Sequence, residues 1–169
     1  MTETQKLDTA RKYYDLVLKD QYDEFFNNPA TFRNLINLAS SLFHFHEWIF
    51  SEFATELPRE LSLDQSFNTA GEFWRCVEAK NENFGFIRDI ANASKHVTLT
   101  RHTSTSMTHM ANTSIQTATW DNAKWDNAKW DEPYAISKDG ETDVLFDTCA
   151  KELFAYWTQI INKLDPESN

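Results

Sequence analysis

Three polar residues at four-residue intervals are the first candidates for chemistry in this sequence. Arg88, Asn92 and His96 lie in the segment RDIANASKH. On an α-helix this spacing places their side chains on one face. A guanidinium can bind a phosphate or carboxylate, an amide both donates and accepts, and an imidazole exchanges protons near neutral pH. The face therefore indicates either a site that binds an anion and moves a proton beside it, or a solvated, salt-bridged helix surface.

Neighbouring polar residues could extend this site. Asp89 and Lys95 flank the same helix face. Glu47 lies at the rim of the apolar arc of an earlier helix, so it could pair with Arg88 on a packed neighbouring helix. A site that combines His46 and Glu47 with Arg88 and His96 is possible if these helices are adjacent.

The histidines of that earlier helix do not predict a metal site. His46 lies within the apolar arc, and His44 lies opposite it, so a regular helix cannot bring both to one ion. Cys76 and Cys149 lack CxxC spacing and are predicted to be buried thiols. We therefore expect no metal ion and no cofactor. A buried His46 should have a hydrogen-bond partner, because unpaired polar groups in a core are costly.

A repeat, WDNAKWDNAKWDE, is the second candidate for function. It carries Trp120, Trp125 and Trp130 at a five-residue period, which matches neither a helix face nor a strand face. Two copies are too few for a solenoid. Two explanations stay open: a duplication that lengthens a β-hairpin loop, or a loop whose tryptophans bind a protein partner.

The elements that must position these residues are mostly helices. Apolar residues at three- and four-residue steps predict helices over about 7–26, 29–55, 69–80, 83–95 and 144–164. Asn28 and Asn83 are predicted N-caps, with Pro29 opening the second helix.

Residues 97–143 have a different character. Segments rich in threonine and β-branched residues predict strands at 97–101, 112–120, 133–136 and 142–144. Asp139-Gly140 is a hairpin signal between the last two. The sequence thus predicts a mainly α fold in a single domain, 1–169. A bundle of four to five helices, over 7–96 and 144–164, carries a small antiparallel β insertion at 97–143.

Composition limits the partners. The chain has 169 residues, 41% of them hydrophobic, and a formal net charge of −10. Such an acidic surface repels phosphate backbones and disfavours sequence-independent nucleic-acid binding. No apolar run approaches the ~20 residues that cross a bilayer. The N-terminus lacks a secretory signal, so we expect a cytoplasmic protein that does not enter membranes.

The Arg88–His96 segment, together with His46-Glu47-Trp48 and Asp139-Gly140, resembles a set of uncharacterised bacterial helical proteins. In those, a helix ending in Asn-x-x-Lys-His precedes a β-hairpin and a C-terminal helix. The resemblance covers about 34–157 and implies no established activity.

A weaker resemblance is to HEPN domains, helical bundles that include metal-independent ribonucleases. Arg88-Asp89 matches the opening of their motif and His96 its close, although the seven intervening residues exceed the usual spacing. This resemblance implies a homodimer in which Arg88 clamps the phosphate of RNA and His96 acts as general acid or base.

Two functions remain as alternatives. One is an interaction or regulatory module that binds a protein partner, or dimerises, through the β insertion and its tryptophans. The other is a HEPN-like ribonuclease of toxin or phage-defence type. A ribonuclease requires Arg88 and His96 exposed in a positive recess, whereas an interaction module can leave them in internal hydrogen bonds.

Overall fold

Helices make up most of the chain that the computed structural model describes, which comprises residues 6–27, 31–63, 66–95, 113–115, 134–136 and 144–166. The helical elements are α1 (Ala10–Tyr13), a π-helical stretch (Tyr14–Leu18), α2 (Lys19–Asn27), α3 (Phe32–Phe53), α4 (Leu57–Glu60), α5 (Ala70–Lys80), α6 (Asn83–Ala93) and α7 (Phe146–Leu164). The first three are continuous and form one N-terminal helix. The predicted mainly α fold is confirmed.

The N-terminal helix contains a wide turn that the sequence did not predict. Thr9 accepts a hydrogen bond from the Lys12 N–H at 3.1 Å and caps the helix, which therefore begins at Ala10 rather than Leu7. Apolar residues four apart drift by about 40° per step on an α-helix. The π-helical stretch has more residues per turn and reverses this drift, so that Tyr14 and Leu18 both remain buried.

The central helix of the bundle is α3, which packs against the N-terminal helix and against α5, α6 and α7. The predicted start at Pro29 with an Asn28 cap is wrong, because Thr31 accepts from the Asn34 N–H at 3.2 Å and α3 begins at Phe32. Asn28 and Pro29 themselves lie outside the described residues. The apolar residues at three- and four-residue steps along α3 are buried at Leu35, Leu38, Leu42, Phe45 and Ile49, whereas Phe53 at the end of the helix is only half-buried.

Both ends of α6 differ from the prediction. Asn83 is the first helical residue rather than the cap, and its N–H donates to the side-chain oxygen of Asn81 at 3.1 Å. At the other end the Ser94 hydroxyl donates to the Ala91 carbonyl oxygen at 2.7 Å. Because α6 ends at Ala93, its helical periodicity does not continue to Lys95.

The strands form a three-stranded antiparallel sheet in the order β1 (Thr113–Ile115), β2 (Tyr134–Ile136), β3 (Val144–Leu145). Ile136 pairs with Val144, which confirms the predicted antiparallel pair before the last helix. That helix, α7, begins at Phe146 because the two preceding residues belong to β3. The predicted strand at 97–101 and the Asp139-Gly140 turn lie outside the described residues.

Aromatic side chains dominate the core between α3, α6 and α7. Trp157, Phe45 and Phe84 are fully buried, and the Trp157 ring lies edge-on to Phe45 at 5.5 Å between centroids. The indole N–H of Trp157 also donates to the Leu42 carbonyl oxygen. Within the described part of the chain, no helix combines the length and apolar character needed to cross a membrane.

Candidate functional site

Arg88 lies inside the bundle, on the side of α6 that faces α5. Only 4% of the surface of Arg88 is exposed to solvent. The Nε and Nη2 groups donate to Asp89 Oδ1 at 3.1 and 2.8 Å, and Nη1 donates to both carboxylate oxygens of Glu78 at 3.1 and 3.0 Å. The guanidinium carbon also lies 4.8 Å from the centroid of the Trp74 ring. Arg88 therefore joins α5 and α6 through charge-assisted hydrogen bonds and a cation–π contact.

The two carboxylates differ in their surroundings. Asp89 is 1% exposed, whereas the Glu78 side chain is 20% exposed and lies at the protein surface. A buried carboxylate beside a guanidinium stays ionised only if its charge is balanced and hydrogen-bonded. The Arg88–Asp89 pair meets that requirement at 2.8 Å. The arrangement is suited to fixing two helices together.

Sequence reasoning missed Glu78 as the partner of Arg88. The predicted Glu47–Arg88 pair is wrong, because Glu47 is exposed and its Oε2 lies 3.6 Å from His44 Nδ1. Glu78 and Arg88 are on different helices, so no helical spacing relates them. Only the packing of α5 against α6 brings them together.

A separate polar cluster lies on the surface where α6 ends. Lys95 Nζ is 3.0 Å from His44 Nε2, and Glu47 approaches the other ring nitrogen. We call His44, Glu47 and Lys95 the surface cluster. Asn92 is half-buried on α6. The structure thus places Arg88 against α5 and Lys95 against α3, rather than in one group.

His46 is buried, as predicted, and has the expected partner. It is 2% exposed, and its Nδ1 lies 2.5 Å from the Phe43 carbonyl oxygen. The geometry assigns a proton to Nδ1, because a carbonyl oxygen can only accept. Burial lowers the pKa of His46, against the opposing effects of this hydrogen bond and of Glu47. The side chain packs between the rings of Phe43 and Phe84 and acts as a satisfied core residue.

Tyr156 and Cys76 are a further pair of ionisable groups that the sequence did not single out. Burial, together with the charge of Cys76, raises the pKa of Tyr156 to about 12. The phenol therefore stays protonated at neutral pH and cannot act as a base there. The two thiols differ in exposure: Cys149 is buried, as predicted, whereas Cys76 is only half-buried and not the buried thiol that the sequence predicted.

Several predicted site residues lie outside the described residues: His96, Trp120, Trp125 and Trp130. Within the described ranges, no group of three or more His, Cys, Asp or Glu side chains is arranged to hold a metal ion. Comparisons with protein-family models, curated proteins and solved structures gave no match.

Proposed function

We propose that this chain is a non-catalytic interaction module that binds a protein partner through the segment between α6 and α7. The first partner to test is a second copy of the same chain. One observation carries the proposal: the guanidinium of Arg88 is buried and donates four hydrogen bonds to Glu78 and Asp89.

This environment argues against Arg88 as a phosphate clamp. A guanidinium has five N–H donors, and the Arg88 guanidinium already makes four hydrogen bonds to carboxylate oxygens. A phosphate would have to displace those charge-assisted bonds. It would also have to approach two carboxylates, which repel it. The HEPN-like ribonuclease alternative therefore loses the support that Arg88 gave it.

Two contacts fix the helices that border the segment between α6 and α7. Arg88 fixes α6 to α5, and Trp157 fixes α7 to α3. The short sheet adds β2 and β3 beside α7. Tryptophans such as those of the WDNAK repeat offer a large apolar surface with one hydrogen-bond donor, and such residues are enriched at interfaces.

Sedimentation of the purified protein over a range of concentrations tests the proposal. We expect the wild type to dimerise, and a variant with Trp120→Ser, Trp125→Ser and Trp130→Ser to remain monomeric with unchanged helical circular dichroism. A variant with Lys124→Ala and Lys129→Ala changes the same repeat but keeps its tryptophans, and should dimerise like the wild type.

The same preparations, incubated with RNA and EDTA, test the ribonuclease alternative. We expect no cleavage. Cleavage by the wild type that disappears in folded His96→Ala and Arg88→Lys variants would overturn the proposal, because it would assign these residues to metal-independent catalysis. A wild type that stays monomeric at every concentration would exclude a second copy as the partner.

A further inference from the structure

The surface cluster joins two helices through an imidazole. Lys95, just beyond the end of α6, reaches His44 in the middle of α3, and 51 positions separate them along the chain. The His44 side chain is 32% exposed, so solvent reaches the ring. Glu47 Oε2 lies 3.6 Å from His44 Nδ1, on the opposite side of the ring from Lys95.

The contact depends on the protonation of the imidazole. A lysine ammonium has three donors and no acceptor, so His44 Nε2 must accept the hydrogen bond and carry no proton. The neighbouring carboxylate of Glu47 favours the tautomer with the proton on Nδ1. Protonation of Nε2 removes the acceptor and places two cations side by side. It also strengthens the attraction of the ring to Glu47.

We propose that His44 and Lys95 form a proton-sensitive contact that holds the C-terminal end of α6 against α3. The contact is present when His44 is neutral and is lost when the imidazole gains a second proton. Acidification that protonates the ring therefore releases the end of α6.

Among the residues that the structure describes, three further titratable groups surround the contact. Glu47 lies on α3 itself beside His44, and Tyr13 of α1 lies close enough to Glu47 for its pKa to respond to that charge. His46 senses the charge of His44, but its side chain is buried and donates to Phe43. Of the described residues at the end of α6, Lys95 reaches the ring.

Hydrogen exchange of backbone amides at the end of α6 measures the contact directly. The amides of Ser94 and Lys95 donate to Ile90 and Asn92 carbonyl oxygens, both at 3.0 Å, and report whether this turn opens. After correction for intrinsic rates, we expect their protection to fall by about two- to fivefold between about pH 7.5 and about pH 5.5. That range is the effect expected for an exposed polar contact.

His44→Gln is the matched variant, because its amide oxygen can accept from Lys95 without titrating. Its protection should not change over this pH range. Lys95→Met removes the donor and should show low protection at both pH values. An equal pH response in the wild type and His44→Gln would overturn the inference, because the response would then come from other groups.

Control of partner binding by this contact rests on the proposed function, since Lys95 immediately precedes the segment assigned to the partner. Sedimentation at the two pH values separates the two ideas. A pH-dependent exchange rate without any dimer supports the contact and contradicts self-association. A dimer with pH-independent exchange at Ser94 and Lys95 supports self-association and contradicts the proton-sensitive contact.

Discussion

Trp157 donates its indole N–H to the carbonyl oxygen of Leu42 over 3.0 Å, across 115 positions of sequence. Both partners are fully buried, at the contact between α7 and α3. The burial of apolar side chains alone does not define the position of α7 along α3, because the hydrophobic effect has no preferred direction. A hydrogen bond with defined geometry fixes one position, and with it the place where the chain returns from the sheet.

Trp157→Phe should therefore destabilise the protein by about 2–3 kcal/mol, because it removes this hydrogen bond and leaves a small cavity. Urea unfolding followed by far-ultraviolet circular dichroism measures the change. Trp48→Phe is a control with the same change in volume, since Trp48 is only partly buried and stacks on Tyr13 at 5.0 Å. The free energy of unfolding of the control should fall by less than about 1.5 kcal/mol. Equal decreases in the two variants would mean that the hydrogen bond does not contribute to stability.

Arg88→Met should lower the free energy of unfolding by about 3–5 kcal/mol. It leaves the Asp89 carboxylate, which is 1% exposed, without the guanidinium 2.8 Å away. Arg75→Met is the control, because Arg75 also lies over the Trp74 ring, at 5.1 Å, but is exposed. It should change stability by no more than about 0.5 kcal/mol. An Arg88 variant as stable as the Arg75 variant would contradict a structural role for the buried pair.

The parts of the fold that depend on local periodicity were predictable. The apolar steps in α3 placed Leu42 and Ile49 in the core, and they placed His46 among them with a required partner. The π-helical stretch was not predictable, because its apolar spacing also fits an ordinary helix. The N-cap of α3 was missed because asparagine is on average a better N-cap than threonine, which favoured Asn28 over Thr31.

The candidate site was harder to predict than the fold. The sequence singled out Arg88 as a candidate, but its partner Glu78 depends on how α5 packs against α6. The expected partner, Glu47, instead points to the surface beside His44. Tertiary packing decides such pairs, whereas helical spacing predicts only pairs within one helix.

Gly71→Ala should stabilise the protein by about 0.5–1 kcal/mol, because glycine loses more backbone entropy than alanine in a helix. Gly71 lies in the first turn of α5, and an added Cβ would meet its nearest atom, Thr69 Oγ1, at 3.6 Å. That distance is an ordinary contact. Thermal unfolding provides the measurement. The reverse change in the same helix, Ala79→Gly at an exposed position, should lower the free energy of unfolding by a similar amount. Destabilisation by Gly71→Ala would show that α5 does not accept a side chain there.

Stability should decrease in mild acid because of His46. Burial lowers its pKa in the folded protein below the usual 6.5, so the unfolded chain binds the proton more tightly. The contribution of neutral His46 to the free energy of unfolding is fully present above about pH 6.5. It is lost progressively as the pH falls toward the lowered pKa of the folded state. Urea unfolding at several pH values between about 5 and 7.5 measures this slope. His46→Phe cannot titrate and fills a similar space between Phe43 and Phe84, so its slope should be smaller. His44→Gln, at a partly exposed position, should keep most of the wild-type slope. If His46→Phe leaves the slope unchanged while His44→Gln removes it, the acid sensitivity belongs to the surface cluster and not to the core.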